Sequence, residues 1–233
     1  MDSLQTQYVL DLLILKAVSF MITCPLCFNV INDNKVKITL LGKNRYCENC
    51  NLISTSEDYW PEPDAEKERY LNHKNSIHDN EYVKFLNQAI DPIRLNLKPE
   101  SHCLDYGCGP NPTLSLLLNK DGFICDNYDP LFFPQLSDKK YDFIFATECF
   151  EHFFNPVREL QIIKSHLKNN GYLIVMTELW DEIADFKNWW YMRDFTHVVF
   201  YHSKTFAYIA NHFNFRLIQI INQRIVVLQN ITD

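Results

Sequence analysis

Only five glycines occur in the 233 residues, and two of them stand together in Leu104-Asp105-Tyr106-Gly107-Cys108-Gly109-Pro110. The apolar run Cys103 to Tyr106 reads as a strand, and a helical pattern starts at Pro112, so this loop joins a strand to a helix. Glycine there lets the backbone turn tightly and approach a ligand, while the helix N-terminus offers unpaired N–H groups. A lone G-x-G would be weak evidence, but its placement between strand and helix fits an open α/β sheet, which binds ligands at its strand ends.

The rest of the chain after Ser101 agrees. Strand patterns at Phe123 to Tyr128, Tyr141 to Thr147 and Tyr172 to Thr177 alternate with helical ones from Pro112 and Pro156, the order expected of a parallel sheet. Asn111-Pro112 and Asn155-Pro156 place a capping side chain before a first-turn proline, and Gly122 and Gly171 are expected to end the helices. A helix over Ser203 to His212 precedes Phe215 to Ile221 and Arg224 to Gln229, a hairpin turning at Asn222-Gln223. Ahead of the sheet, Tyr82, Phe85, Leu86, Ile90 and Ile93 recur at helical spacing between Asp79 and Leu97, with Pro92 breaking the pattern.

Two acids bracket the loop. Asp105 ends the first strand and Asp129 the second, where a carboxylate can accept both ribose hydroxyls. A nicotinamide dehydrogenase would carry a third glycine where this chain has Pro112, and an apolar residue in place of Asp105. On these residues the last 130 or so positions resemble class I S-adenosylmethionine-dependent methyltransferases, with D-x-G-x-G after the first strand. The likeness continues through Tyr141-Asp142-Phe143-Ile144, Glu151-His152 and Leu167-Lys168-Asn169-Asn170-Gly171. The resemblance implies a Rossmann-like seven-stranded sheet of order 3214576 with the last strand antiparallel. It implies that S-adenosylmethionine is held by Asp105, Gly107, Gly109, Asp129 and Glu148. Only eleven residues separate Asp129 from Tyr141, so the third strand of that sheet is shortened or missing, and the adenine contacts stay unassigned.

Residues 21–57 carry a second signature. Cys24-Pro25-Leu26-Cys27 and Cys47-Glu48-Asn49-Cys50 lie nineteen residues apart, the pattern of a four-thiolate zinc ribbon. Two such turns give a closed tetrahedral shell, so the expected zinc is structural. Binding in comparable small sites contributes roughly 10–16 kcal/mol, enough to fold a segment with little core. The other cysteines, Cys103, Cys108, Cys125 and Cys149, read as buried inert thiols. Ribbon plus catalytic body resembles small bacterial methyltransferase-domain proteins.

Residues 1–20 are an extension or an amphipathic helix, and residues 58–100 a linker with helices, the acidic run from Glu57 to Glu68 being solvated. Residues 101–233 form the S-adenosylmethionine-dependent domain. The stretch from Tyr8 to Phe20 contains Asp11 and Lys16 and is too short to span a bilayer. The paired cysteines fit a reducing, cytoplasmic setting. A net charge of -7 argues against non-specific coating of phosphate backbones.

Glu148, Glu151 and His152 have i, i+3, i+4 spacing beyond the fourth strand, and His197 follows the next. This resembles the E-x-x-E-H…H set of RNA 3′-end 2′-O-methyltransferases, which implies a divalent ion over the acceptor. Without an ion, His152 or His197 would serve either as general base beside Glu151 or only as structural hydrogen-bonding groups. Trp180, Trp189, Trp190, Tyr191, Phe195, Phe200 and Tyr201 read either as an acceptor lid or as core, and the segment from Glu68-Arg69-Tyr70 to His73 and Asn75 either as a cover for the methionine end or as a solvated helix. The expectation is methyl transfer to an acceptor left open between RNA, protein and small metabolite. The rival is a cofactor-binding interaction module without turnover. Oligomeric state stays open.

Overall fold

The computed structural model describes residues 22–31, 43–72, 75–182, 186 and 188–231. The expected N-terminal extension or helix and His73 lie outside them. Among the described residues the central sheet has six strands: β3 (His102–Tyr106), β4 (Ile124–Tyr128), β5 (Tyr141–Thr147), β6 (Leu167–Met176), β8 (Phe215–Ile221) and β9 (Ile225–Asn230). Their spatial order is β4-β3-β5-β6-β9-β8. The first four are parallel, and β9 runs antiparallel between β6 and β8.

Among the described residues the third strand of the order 3214576 is missing, the shortening expected from the short connection after Asp129, while the antiparallel last strand is present as β9. Residues 129–140 pass directly from β4 to β5 with one isolated bridge, Asp129 to Phe133. A crossover that returns to a parallel strand through its own helix needs a dozen or more residues, and this connection is too short to hold a strand and a helix as well.

Period-two alternation sends successive side chains to opposite faces. Phe143, Phe145, Ile174 and Met176 pack with Leu86, Ala89 and Ile90 of α2 (Asn80–Ile90) and Leu114 and Leu118 of α3 (Thr113–Lys120). Ile144, Ala146, Leu173 and Val175 face α4 (Pro156–His166) and α5 (Ser203–His212) through Leu160, Ile163, Phe206 and Ile209. Both faces of the sheet are covered, as a parallel sheet requires. No described helix is long and apolar enough to cross a membrane.

The expected caps divide. Asn155 caps α4, its side chain accepting from Arg158 N–H, and Asp79 caps α2. Asn111 does not cap α3, since Pro112 is the N-cap and only the Asn111 carbonyl is engaged, by Thr113. Gly122 adopts φ +90 after α3, as expected. Gly171 ends no helix. It lies within β6, where an added Cβ would meet the backbone oxygens of Asp142 and Lys168 at 3.0 Å, so the constraint is a close approach of two chains.

The acidic run is also more ordered than a solvated linker. Pro63 opens α1 (Pro63–Leu71), with Asp64 and Glu66 in the first turn where the helix dipole favours negative charge. Among residues 21–57, β1 (Asn44–Tyr46) pairs antiparallel with β2 (Ile53–Thr55), and β2 pairs with β7 (Val199–Phe200) from the C-terminal part. Cys24, Leu26, Cys47, Cys50 and Leu52 belong to the same core cluster as Phe206 and Tyr201. The cysteine turns are thus built into the body.

Candidate active site and cysteine centre

Four parallel strands deliver the candidate residues at their C-terminal ends. The glycine loop follows β3, Asp129 follows β4, Glu148 follows β5 and Thr177 follows β6, the edge where open α/β sheets bind ligands.

The loop folds back on β4, with Gly107 and Cys108 N–H both donating to the Tyr128 carbonyl at 2.8 and 3.1 Å. Gly107 and Gly109 have φ +76 and +64, but for different reasons. A Cβ on Gly107 would lie 2.6 Å from Cys149 Sγ, whereas one on Gly109 would meet nothing within 4 Å. Gly107 therefore seats the loop on β5, and Gly109 borders open space. Asp129 accepts from Gly109 N–H at 3.0 Å with Oδ2, and from Leu131 and Phe132 N–H with Oδ1. It holds the loop in shape, and Oδ2, with a single bond, retains a lone pair for a further donor.

Asp105 is buried, and desolvation raises its carboxyl to about 7; Oδ1 has no hydrogen-bond partner. Glu148 is half-buried, with desolvation first and then Glu151 raising it to about 8, and its buried Oε1 has no partner. Tyr82 on α2 is close enough to both carboxylates for each to add to the burial that pushes its hydroxyl upward.

Glu148 adopts φ +49, unusual for a residue with a Cβ. Its N–H is fixed on the Met176 carbonyl at 2.7 Å, and a 3-10 turn begins only at Phe150. The expected single helical turn through Glu148, Glu151 and His152 is therefore absent, and Glu148 stands outside the cluster that the other three form.

In that cluster the ligand atoms of Glu151, His152 and His197 lie within 4.8 Å of one another. Each ring is fixed through Nδ1: His152 against the Thr196 carbonyl at 3.0 Å and His197 against the Tyr191 carbonyl at 2.7 Å. A carbonyl only accepts, so both rings carry Nδ1–H and keep an Nε2 lone pair. Glu151 is fully buried, with Oε2 accepting from Thr177 Oγ1 at 2.8 Å and Oε1 unpartnered. Burial lowers the pKa of His197 below the ordinary histidine value, which favours neutral imidazole.

Three neighbours of this cluster carry no sequence motif. Tyr70 of α1 sets its ring edge-on to His152 at 5.3 Å, and Arg69 pairs with Asp194 at 2.7 Å. Thr177 bonds Glu151 and, at 3.2 Å, the Tyr191 hydroxyl. Of the aromatic segment, Trp180, Tyr191, Phe200 and Tyr201 are core, while Trp190 and Phe195 are exposed. Burial pushes the thiol pKa of Cys108 and Cys149 upward, so neither is an activated nucleophile.

At the cysteine centre Cys24 and Cys50 Sγ are 3.5 Å apart, and Cys27 and Cys47 Sγ 3.4 Å. All four sulfurs lie within 4.8 Å of one another. Tetrahedral thiolate ligation with bonds near 2.3 Å needs sulfurs about 3.8 Å apart. Hydrogen bonds from Cys24 and Cys50 lower the Cys47 thiol to about 2, and the bond to Cys47 raises Cys24 to about 12.

A parallel sheet with a glycine loop after its first strand and an acid after its second defines a class I methyltransferase fold. A family model described as a methyltransferase domain matches residues 75–220, and the chain belongs to that family. Among solved structures it is similar to 1,6-didemethyltoxoflavin-N1-methyltransferase from Burkholderia thailandensis, at 13% identity, covering 81% of this chain and 99% of that one with a TM-score of 0.51. It is also similar to magnesium protoporphyrin IX methyltransferase from Synechocystis, at 13% identity, covering 74% and 97% with a TM-score of 0.50. Both were solved with bound S-adenosylhomocysteine. No curated protein matches the chain.

Proposed function

We propose that the chain transfers a methyl group from S-adenosylmethionine to an acceptor presented at the Glu151–His152–His197 cluster. One observation carries the reading. Asp105 and Glu148, at the ends of the neighbouring strands β3 and β5, each keep a buried oxygen without a partner. Two carboxyls with buried, unused acceptors fit a ligand that brings positive charge and donors. When bound, S-adenosylmethionine supplies an activated methyl on a cationic sulfonium.

Asp105 and the loop hold the amino-acid end, Asp129 Oδ2 accepts from a ribose hydroxyl, and Glu148 lies toward the sulfonium. His152 and His197 turn their Nε2 lone pairs toward the acceptor and take its proton as it attacks. The same three side chains suit Mn, Fe, Co or Zn, with the two carbonyl-anchored imidazoles in the tautomer that ligation needs. Held there, a divalent ion would lower the pKa of an acceptor hydroxyl. The four cysteines hold a structural zinc.

Labelled S-adenosylmethionine incubated with the purified chain and fractionated cell extract tests the whole reading. Label entering one fraction of RNA, protein or metabolite supports it; cofactor binding with no transfer to any fraction points to a binding module. Transfer that stops on chelation and returns with Mn or Co supports the ion. Transfer that survives chelation yet is lost in His197→Ala assigns His197 as base.

A further inference from the structure

The segment that carries His197 is held from outside the catalytic sheet. Strand β7 has two residues, and within its three-stranded sheet it pairs only with β2. Phe200 lies opposite Ile53, and Val199 opposite Ser54. Thr55 N–H donates to the Val198 carbonyl at 2.7 Å, and Val198 N–H donates in turn to the Glu151 carbonyl at 2.8 Å. Two residues upstream of Val198, the Thr196 carbonyl receives His152 Nδ1.

A continuous set of backbone bonds thus runs from β2 through Val198 to Glu151, with His197 and Thr196 immediately beside it. The β2 end is itself anchored. Asn44 Nδ2 donates to Thr55 Oγ1 at 3.0 Å, Trp60 Nε1 donates to the Thr55 carbonyl at 3.1 Å, and the Trp60 ring packs on Phe154 at 4.8 Å. Cys47 lies directly before the turn into β2, with its N–H on the Leu52 carbonyl at 2.9 Å.

We propose that the cysteine-turn unit is a positioning element for the acceptor-side histidines. By pairing β2 with residues 198–200 it fixes the Thr196 carbonyl that selects the Nδ1–H tautomer of His152, and it holds the backbone of His197 at the distance where its own Nδ1 meets the Tyr191 carbonyl. This rests on the reading that those two rings face the acceptor. A small unit of this kind need not contact substrate to matter, because a ring turned away from its carbonyl loses both its tautomer and its aim.

The test is nitrogen NMR of the histidine rings in the full-length protein, with S-adenosylmethionine titrated into the same samples. Unaltered protein and Thr55→Ser, which keeps the amide and the hydroxyl, should both show His152 and His197 as Nδ1–H tautomers. Thr55→Pro, which removes the donor to Val198, should show tautomer mixtures at both rings while cofactor affinity stays within about twofold. Should Thr55→Pro fail to fold, Trp60→Phe removes one anchor of β2 and should broaden the same two ring signals. Unchanged tautomers in every folded variant would overturn the proposal. Absence of cofactor binding in unaltered protein would instead remove the methyl-transfer reading, and the ring signals would still decide whether β2 positions the histidines.

Discussion

Gly107 and Gly109 share a motif but not a function, and substitution separates them. Gly107→Ala drives a Cβ into Cys149 at a left-handed φ, so it should cost about 2–4 kcal/mol of stability and abolish cofactor binding. Gly109→Ala meets only the backbone penalty, about 1 kcal/mol, and should lose cofactor affinity with little change in melting temperature. Thermal unfolding beside calorimetric titration of the two variants checks the pair.

Asp105 gives a pH signature. Its folded-state carboxyl is raised from 3.8 to about 7 by burial, so protonation is favoured by folding. Its contribution to stability is full below pH 4 and is lost as pH rises toward 7, by up to about 4 kcal/mol in the ligand-free protein. Asp105→Asn should flatten that part of the stability-pH curve measured by denaturant unfolding. Cofactor affinity should strengthen from pH 6 to pH 8 in the unaltered protein and lose that dependence in the variant.

At the scale of elements, most of what depends on local spacing was legible in the sequence, the Asn111 cap and the turn through Glu148 excepted. Strands β3 to β6, both cysteine turns and the hairpin at Asn222-Gln223 were legible because each rests on residues a few positions apart. So was the short connection after Asp129. Three features depend on partners distant in sequence and were not legible. Glu148 is turned out of the Glu-His cluster by a bond to Met176 of the neighbouring strand. Gly171 answers to the backbone of Asp142 across the sheet. The acidic stretch becomes α1, whose Arg69 and Tyr70 reach Asp194 and His152.

The hairpin offers a separate check, because Asn222 and Gln223 both adopt positive φ, 51 and 52. That is the two-residue turn favoured by Asn-Gly. Gln223→Gly should therefore stabilise the protein by about 0.5–1 kcal/mol, read as a higher denaturant midpoint with an unchanged slope.

On the scale of the whole molecule, the cysteine centre and the catalytic sheet form one packed body, since their buried residues share a core cluster. Elemental analysis should find zinc with the four thiols protected from alkylation. Its removal should lower the melting temperature of the entire chain in a single transition, where an independently folded appendage would give two.

Methyl transfer requires that the unpartnered carboxylate oxygens of Asp105 and Glu148 and the glycine loop form a cofactor cradle. Calorimetric titration of the purified, metal-replete protein with S-adenosylmethionine measures this most directly. One site per chain is expected, weakened at least tenfold, about 1.4 kcal/mol, in Asp129→Ala. A flat titration with folded, zinc-loaded protein would contradict it.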